Sequence, residues 1–317
     1  MLSRVADSLY WMGRYIERAE NITRMLLVTD DISTEALGLD ETLAHAAWKD
    51  LLAIFPAAQL TRDTPPYAPL ALPYLHAFFA DQRNTYSVSY SLRRARENAR
   101  AVREALTVEV FVALNETFHA LEDWERKPPA DAPGLRDALN ATHRGLFSIV
   151  GAMGHTLPRD EGWRFLRLGE ALERLYRSAY ELCVKLPGLL GPDASGDVPL
   201  HLAQWRTLLR SLASLEHFRR MYGARLEPDV VVPFLLYEAE SPRSLRHGAD
   251  TVHRYIEAIA GADEANPAAR LSGRLAAQLR YPDSRTWQPQ EVTRFLEHVA
   301  DQTAAIHAAV DVRFFVT

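Results

Sequence analysis

Carboxylates and guanidinium groups at helical spacing are the residues of this chain best equipped for chemistry. In MGRYIERAENITR, residues 12–24, Glu17-Arg18 is followed by Glu20, Asn21 and Arg24, with Arg14 just ahead. On a helix, Tyr10, Gly13, Glu17, Glu20 and Arg24 form one stripe, about 100° round from an apolar stripe of Leu9, Met12, Ile16, Ala19, Thr23 and Leu26. The charged stripe therefore sits at the edge of the buried face. Glu20 and Arg24 are an i,i+4 pair in the favourable order, but an exposed pair of this kind adds only roughly 0.2–0.5 kcal/mol. Stability alone is a thin reason for it. Glu17 or Glu20 could serve as a general base or receive an ammonium group, and Arg18 could hold a carboxylate or a developing oxyanion.

A second concentration, SLRRARENARAVRE at 91–104, puts Arg93, Arg96, Arg100 and Arg103 in a row, with Glu97, Asn98 and Glu104 among them. Guanidinium forks match carboxylate or phosphate bidentately. One partner for the row is the Glu17/Glu20 stripe, as an interhelical ion-pair network; the alternative is a ligand or partner site on the same residues. Further along, LGEALERLYRSAY repeats Gly-x-x-x-Glu-Arg as Gly169, Glu173 and Arg174, while Tyr176 and Tyr180 stand where the first copy has Glu20 and Arg24. A glycine inside a helix costs up to about 1 kcal/mol relative to alanine, so its reappearance suggests close approach of another backbone or a ligand. Arg243, Ser244 and Arg246 follow Pro242 and either face a cleft between halves or mark a helix start capped by serine.

Other chemistries find little support. Glu116-x-x-His119 and Asp250-x-x-His253 resemble paired di-metal motifs but need further carboxylates from two other helices, so no metal is expected. There is no P-loop, GxGxxG, GxSxG or zinc-spaced cysteine set, and Cys183 reads as core.

The elements that must position these groups are helices. Amphipathic spacing recurs over 91–106, 107–125, 136–153, 162–186, 201–222, 244–260, 266–280 and 290–313, separated by proline-rich loops at 55–73, 127–134, 187–199 and 281–289. VVVPFLLY at 230–237 is the one strand-like run, and its proline argues against a strand. Three matches recur at one nearly constant offset: Gly13/Glu17/Arg18 with Gly169/Glu173/Arg174 at 156, Trp48 with Trp205 at 157, and Asp81 and Ser87 with Glu238 and Ser244 at 157. The chain thus reads as all-α, a duplicated multi-helix bundle of two related halves of about 155 residues. The halves are 1–156, carrying the main signatures, and 157–317.

Composition is that of an ordinary soluble domain: 48% hydrophobic and 24% charged over 317 residues. With 36 basic against 41 acidic residues there is no global field to attract nucleic acid or an anionic membrane. A single cysteine, no leader pattern and no apolar run of membrane length point to the cytoplasm.

MLSRVADSLYWMGRYIERAENITRML resembles the opening of the α-E domain proteins, an all-helical bacterial family named for a Glu-Arg signature, and RRARENARAVRE resembles its second signature. The similarity continues through FLRLGEALER and SPRSLR. The resemblance implies a protein that accompanies a circularly permuted ATP-grasp protein and a transglutaminase-like homologue, in systems that make or modify peptides through amide bonds. Glu17 and Arg18, with Glu173 and Arg174, are then the functional Glu-Arg residues. The expectation is a helical component of an ATP-grasp-dependent ligase system. Its Glu/Arg seam, including Arg18, Arg96 and Arg100, would bind a peptide or amino-acid substrate or dock the ligase, with ATP and Mg on the partner and no cofactor here. The alternatives are an acyl-transfer enzyme using Glu17 or Glu20 as base, and a non-catalytic scaffold.

Overall fold

The computed structural model describes residues 1–36, 41–55, 71–129, 131–191, 198–261, 263, 265–282 and 288–315. In chain order the α-helices are α1 Ser3–Ala36, α2 Glu41–Ile54, α3 Ala71–Phe79, α4 Val88–Ala101, α5 Val108–Arg126, α6 Ala132–Thr156 and α7 Glu161–Leu190. They continue as α8 Val198–Ser211, α9 Leu215–Tyr222, α10 Pro228–Tyr237, α11 Leu245–Ala260, α12 Pro267–Arg280 and α13 Pro289–Val310. No strand occurs among the described residues. VVVPFLLY is helical, within α10, with Pro228 opening the helix where a missing N–H costs nothing.

The chain forms two compact units, Met1–Glu170 and Ala171–Thr317, with α7 running through the boundary. In the first, α1 is the hub: it packs on α2, α3, α4 and α6, while α5 packs on α4 and α6. Such a position requires α1 to be buried nearly all round, and Tyr10, Met12, Ile16, Ile22 and Met25 are fully buried alongside Trp48, Phe55 and Phe78. In the second unit α11 packs on α10 and α12, and α12 on α13, around Trp205, Phe218 and Phe234. Four helix starts recur at one spacing: α2, α3, α4 and α6 begin at 41, 71, 88 and 132, and α8, α10, α11 and α13 begin 157 residues later. Ser87 and Ser244, 157 apart, both cap: their hydroxyls accept from the Tyr90 and His247 amides.

The helical pattern over 201–222 breaks at 212–214 into α8 and α9. Ala213 takes a left-handed φ of 49°, and the Ser214 amide donates back to the Leu209 carbonyl at 2.8 Å. Alanine rarely adopts this conformation, and neither glycine nor proline marks the break. Most of the proline-rich stretch at 55–73 lies outside the described residues.

Gly13 and Gly169 have one explanation. A Cβ on Gly13 would fall closer than 3.0 Å to the Leu166 carbonyl oxygen, and one on Gly169 closer than 3.0 Å to that of Tyr10. The contact is reciprocal: each glycine meets the carbonyl three residues before the other. Of the two causes the sequence allows, close approach of a backbone is the one present, where α1 meets the Glu161–Glu170 portion of α7 in the first unit.

Candidate functional site

Glu17 and Arg18 are adjacent, so a helix turns them about 100° apart. Glu17 points inward and is 3% exposed; Arg18 lies half-buried with its guanidinium 5.2 Å from the Tyr15 ring centroid. Glu17, Glu20, Asn21 and Arg24, at i, i+3, i+4 and i+7, form a buried polar stripe on α1, with Glu20 6%, Asn21 1% and Arg24 5% exposed. Arg24 grips Glu20 through two N–H groups, at 2.9 and 3.4 Å. His143 of α6 brings Nε2 to 3.3 Å from Glu20 Oε1, and its ring packs on the exposed Phe147 with centroids 4.6 Å apart. The half-buried His143 and the exposed Phe147 thus stand beside a buried carboxylate.

Asn21 is the unusual member of the stripe. Neither its amide nitrogen nor its oxygen has a hydrogen-bond partner among the described residues. Leaving buried polar atoms unpaired costs about 1–3 kcal/mol. Thr142, next to His143, is likewise buried with an unpaired hydroxyl. Arg14 is buried too; it donates to the Tyr10 hydroxyl at 3.5 Å and lies over the Trp11 ring at 4.9 Å. Lower on α1, Arg136 of α6 binds Asp30 and Asp31. Burial raises the Asp30 carboxyl above its ordinary pKa, Arg136 pulls it partly back, and the Asp31 charge pushes it up again.

The arginine row does not turn to Glu17 and Glu20. Helix α4 buries Val88, Leu92, Ala95 and Ala99, and the arginines stand one residue round from that face, toward α5. Arg93 binds Glu125 and lies 3.6 Å from Glu122; Arg96 donates to Asn115 at 2.7 Å; both guanidinium groups flank the Phe118 ring, at 5.1 and 4.4 Å. Arg103 donates to the Leu106 carbonyl at 3.0 Å. Glu97 pairs with Arg94 at 2.9 Å, and Asn98 donates to the Arg94 carbonyl. Arg100 is exposed and makes no ion pair with any described residue. Arg93 and Arg96 thus clamp α4 to α5.

On α7, Glu173 is fully buried and accepts from Arg177 Nε at 3.0 Å, while Arg174 is half-buried, repeating the inward Glu and outward Arg of residues 17 and 18. Tyr176 and Tyr180, 156 residues after Glu20 and Arg24 in the sequence, stack with ring centroids 6.0 Å apart. Arg246 donates to the Tyr237 carbonyl at 3.4 Å and lies 3.8 Å from Asp250; half-buried Arg243 precedes the Ser244 cap, so SPRS is a helix start. Sequence reasoning missed His143, Asn115, Glu122 and Glu125. Helical phasing of 107–125 places Phe118 and Glu122 one and two turns beyond Asn115 on one face, a signal for the clamp; a lone histidine carries none.

No helix of the described residues is long and apolar enough to cross a membrane. Nor do the described residues contain a group of three or more His, Cys, Asp or Glu able to hold a metal; His119, of the Glu-x-x-His motif, pairs with Glu122 at 3.0 Å.

Fold and site define an all-helical protein whose Glu-Arg dipeptides split between core and surface. The chain belongs to the Alpha-E family, described as a predicted alpha-helical domain with a conserved ER motif, whose model matches residues 1–315. Glu-Arg occurs at 17–18, 125–126 and 173–174. Relatives include the uncharacterized protein Mb2597 of Mycobacterium bovis and the uncharacterized protein Rv2567 of Mycobacterium tuberculosis, each 24% identical over 97% of this chain. The chain spans 35%, about a third, of the length of these curated relatives. No solved structure matches it significantly.

Proposed function

We propose that the chain is the helical binding component of an ATP-dependent amide-ligating system, holding the amino or carboxylate end of a peptide or amino acid in the Glu17/Glu20/Asn21/Arg24 stripe. The observation that carries this reading is Asn21: a side chain with two donors and an acceptor, 1% exposed and unpaired among the described residues, beside two carboxylates and a guanidinium. A stripe serving only to fix helix packing gains nothing from an unpaired amide; one that receives a ligand does. The resemblance supplies the system, and the chemistry of this chain is compatible with ATP and Mg being held by an ATP-grasp partner. The longer relatives, in which this fold is about a third of one polypeptide, support work alongside further protein.

Two related copies of one bundle underlie the reading. Its supports are the four helix starts at a 157-residue spacing, the paired serine caps and the reciprocal glycines. The site belongs to the first copy, because Tyr176 and Tyr180 replace the Glu20–Arg24 pair in the second.

The test is Asn21→Leu, assayed for ligation with the ATP-grasp partner and for melting. Loss of product with a raised melting temperature supports the site; a raised melting temperature with full activity overturns it. A second reading makes the chain the acyl-transfer catalyst, with Glu20 as base, and His143 at 3.3 Å from Glu20 favours it. Glu20→Gln that keeps substrate affinity and loses turnover selects this reading over the first.

A further inference from the structure

In the second unit, α8, α9 and the turn that follows α9 line a cavity of about 330 Å³. Arg206 of α8 and Arg219 of α9 are its charged residues, and Leu215, Gly223, Ala224 and Leu226 supply the rest of the lining. A Cβ on Gly223 would meet nothing within 4 Å, so that wall is open. Small-molecule sites run from roughly 300 to 1,000 Å³ and combine a mostly apolar lining with a few polar groups that fix orientation. This cavity has that make-up at the small end of the range.

Arg206 is exposed and makes neither an ion pair nor a hydrogen bond with any described residue. Its own helix offers it no carboxylate: VPLHLAQWRTLLRS contains Arg206 and Arg210 but neither Asp nor Glu. From Val198 to Leu226 the chain has five arginines and one acidic residue, Glu216, although its formal net charge overall is −5. Glu216 binds Arg219 at 3.1 Å with both side chains well exposed, and the next acidic residue, Glu227, lies 3.5 Å from Arg225. Exposed pairs of this kind contribute little, and a guanidinium group has five N–H donors, so Arg219 can hold Glu216 and still donate into the cavity. The charge that Arg206 brings to the cavity wall is thus left without a counter-charge from the described residues.

We propose that this cavity binds a small organic carboxylate, with its anionic head on Arg206 and its apolar body over Leu215, Ala224 and Leu226. The planar guanidinium fork meets a carboxylate through two parallel N–H···O bonds. The apolar walls decide between anions: a bare inorganic anion leaves the leucines without a partner, whereas a carboxylate on a hydrocarbon body covers them. An ammonium group would meet Arg206 with like charge. The site lies in the second unit and does not rest on the reading of the α1 stripe, so either can fail without the other.

The probe is hydrocinnamate, a carboxylate on a compact apolar body, titrated into the full chain and followed by nuclear magnetic resonance. It is expected to bind saturably and at least about ten-fold more tightly than hydrocinnamyl alcohol, which keeps the body and lacks the charge. Arg206→Ala is expected to weaken binding at least about ten-fold, and Arg206→Lys, which keeps the charge without the fork, to fall between the two. Ala224→Trp, which fills the hollow and leaves Arg206 in place, should abolish binding. Arg274→Ala, an exposed change on α12, leaves binding unchanged. Residues 206 and 224 are both exposed, so their variants should melt with the wild type, and charge and volume are tested by separate substitutions. Absence of saturable hydrocinnamate binding to the wild-type chain overturns the proposal, as does binding that survives either Arg206→Ala or Ala224→Trp. Equal affinity for the alcohol removes the role of Arg206 and overturns it too. Arg206-dependent binding of inorganic phosphate that displaces hydrocinnamate at equal concentration overturns it in favour of a phosphate-bearing ligand.

Discussion

Glu20 and Asn21 pose the same question with different answers: what makes it worthwhile to take a polar group out of water. A buried carboxylate must be paired or hydrogen-bonded, and Arg24 does this for Glu20. Asn21 has no such compensation among the described residues, so replacing it by leucine should stabilise the folded chain by about 1–3 kcal/mol, read as the shift in urea midpoint, even while ligand binding is lost. Asp30 lies between these cases. Its folded-state pKa is raised, chiefly by burial, so its ionised form costs stability at neutral pH, and that cost disappears as pH falls below the ordinary carboxylate range. Asp30→Asn is therefore expected to raise the melting temperature at pH 7, by about 1 kcal/mol or less in free energy, with the advantage over wild type shrinking toward pH 3. Arg136 keeps Asp31 as its partner in that variant. The inward stripe was legible in the sequence because 17, 20 and 24 share a face, but its partner His143 was not, since a single histidine in an apolar helical pattern has no phase that points to Glu20.

Helices α1 and α7 meet through two glycines, and their geometry makes a sharper demand than any charge nearby. Adding one methyl at Gly13 drives it into the Leu166 carbonyl, which belongs to helical backbone and cannot rotate aside. Gly13→Ala and Gly169→Ala should each destabilise by about 1–3 kcal/mol or more, measured by denaturant unfolding. Because both are relieved by the same separation of the two helices, the double variant should cost less than the sum of the singles by at least about 0.5 kcal/mol. Additive losses would mean the two contacts yield independently. At this scale the sequence was most readable: apolar residues at 3.6-residue spacing and proline-rich breaks place most of the helices, and the cost of a mid-helix glycine signals a close approach. Two features escaped it. The break at Ala213 uses a left-handed alanine where glycine would have advertised a stop. The direction of the α4 arginines depends on how α4 is rotated between α1 and α5, and rotation is a property of packing rather than of spacing.

Over the whole molecule, the Glu-Arg pairs separate by depth. The buried stripe of α1 can interact only with what reaches the interior, while Arg18, one helical step from Glu17, lies half-buried over the Tyr15 ring. A family signature made of two adjacent residues therefore serves two faces of one helix, which a reading of the dipeptide as a single catalytic unit would conflate. The burial of the stripe has a measurable consequence. Salt screens charges at the surface over about 8–10 Å at ordinary ionic strength and buried charges much less. Glu17, Glu20 and Arg24 are each 6% exposed or less. Raising sodium chloride from about 0.05 to about 0.5 M should therefore change the affinity of a charged ligand held in the stripe by less than roughly two-fold, read by calorimetric titration, whereas a loss of roughly ten-fold would mean that the ligand is held by surface charges instead.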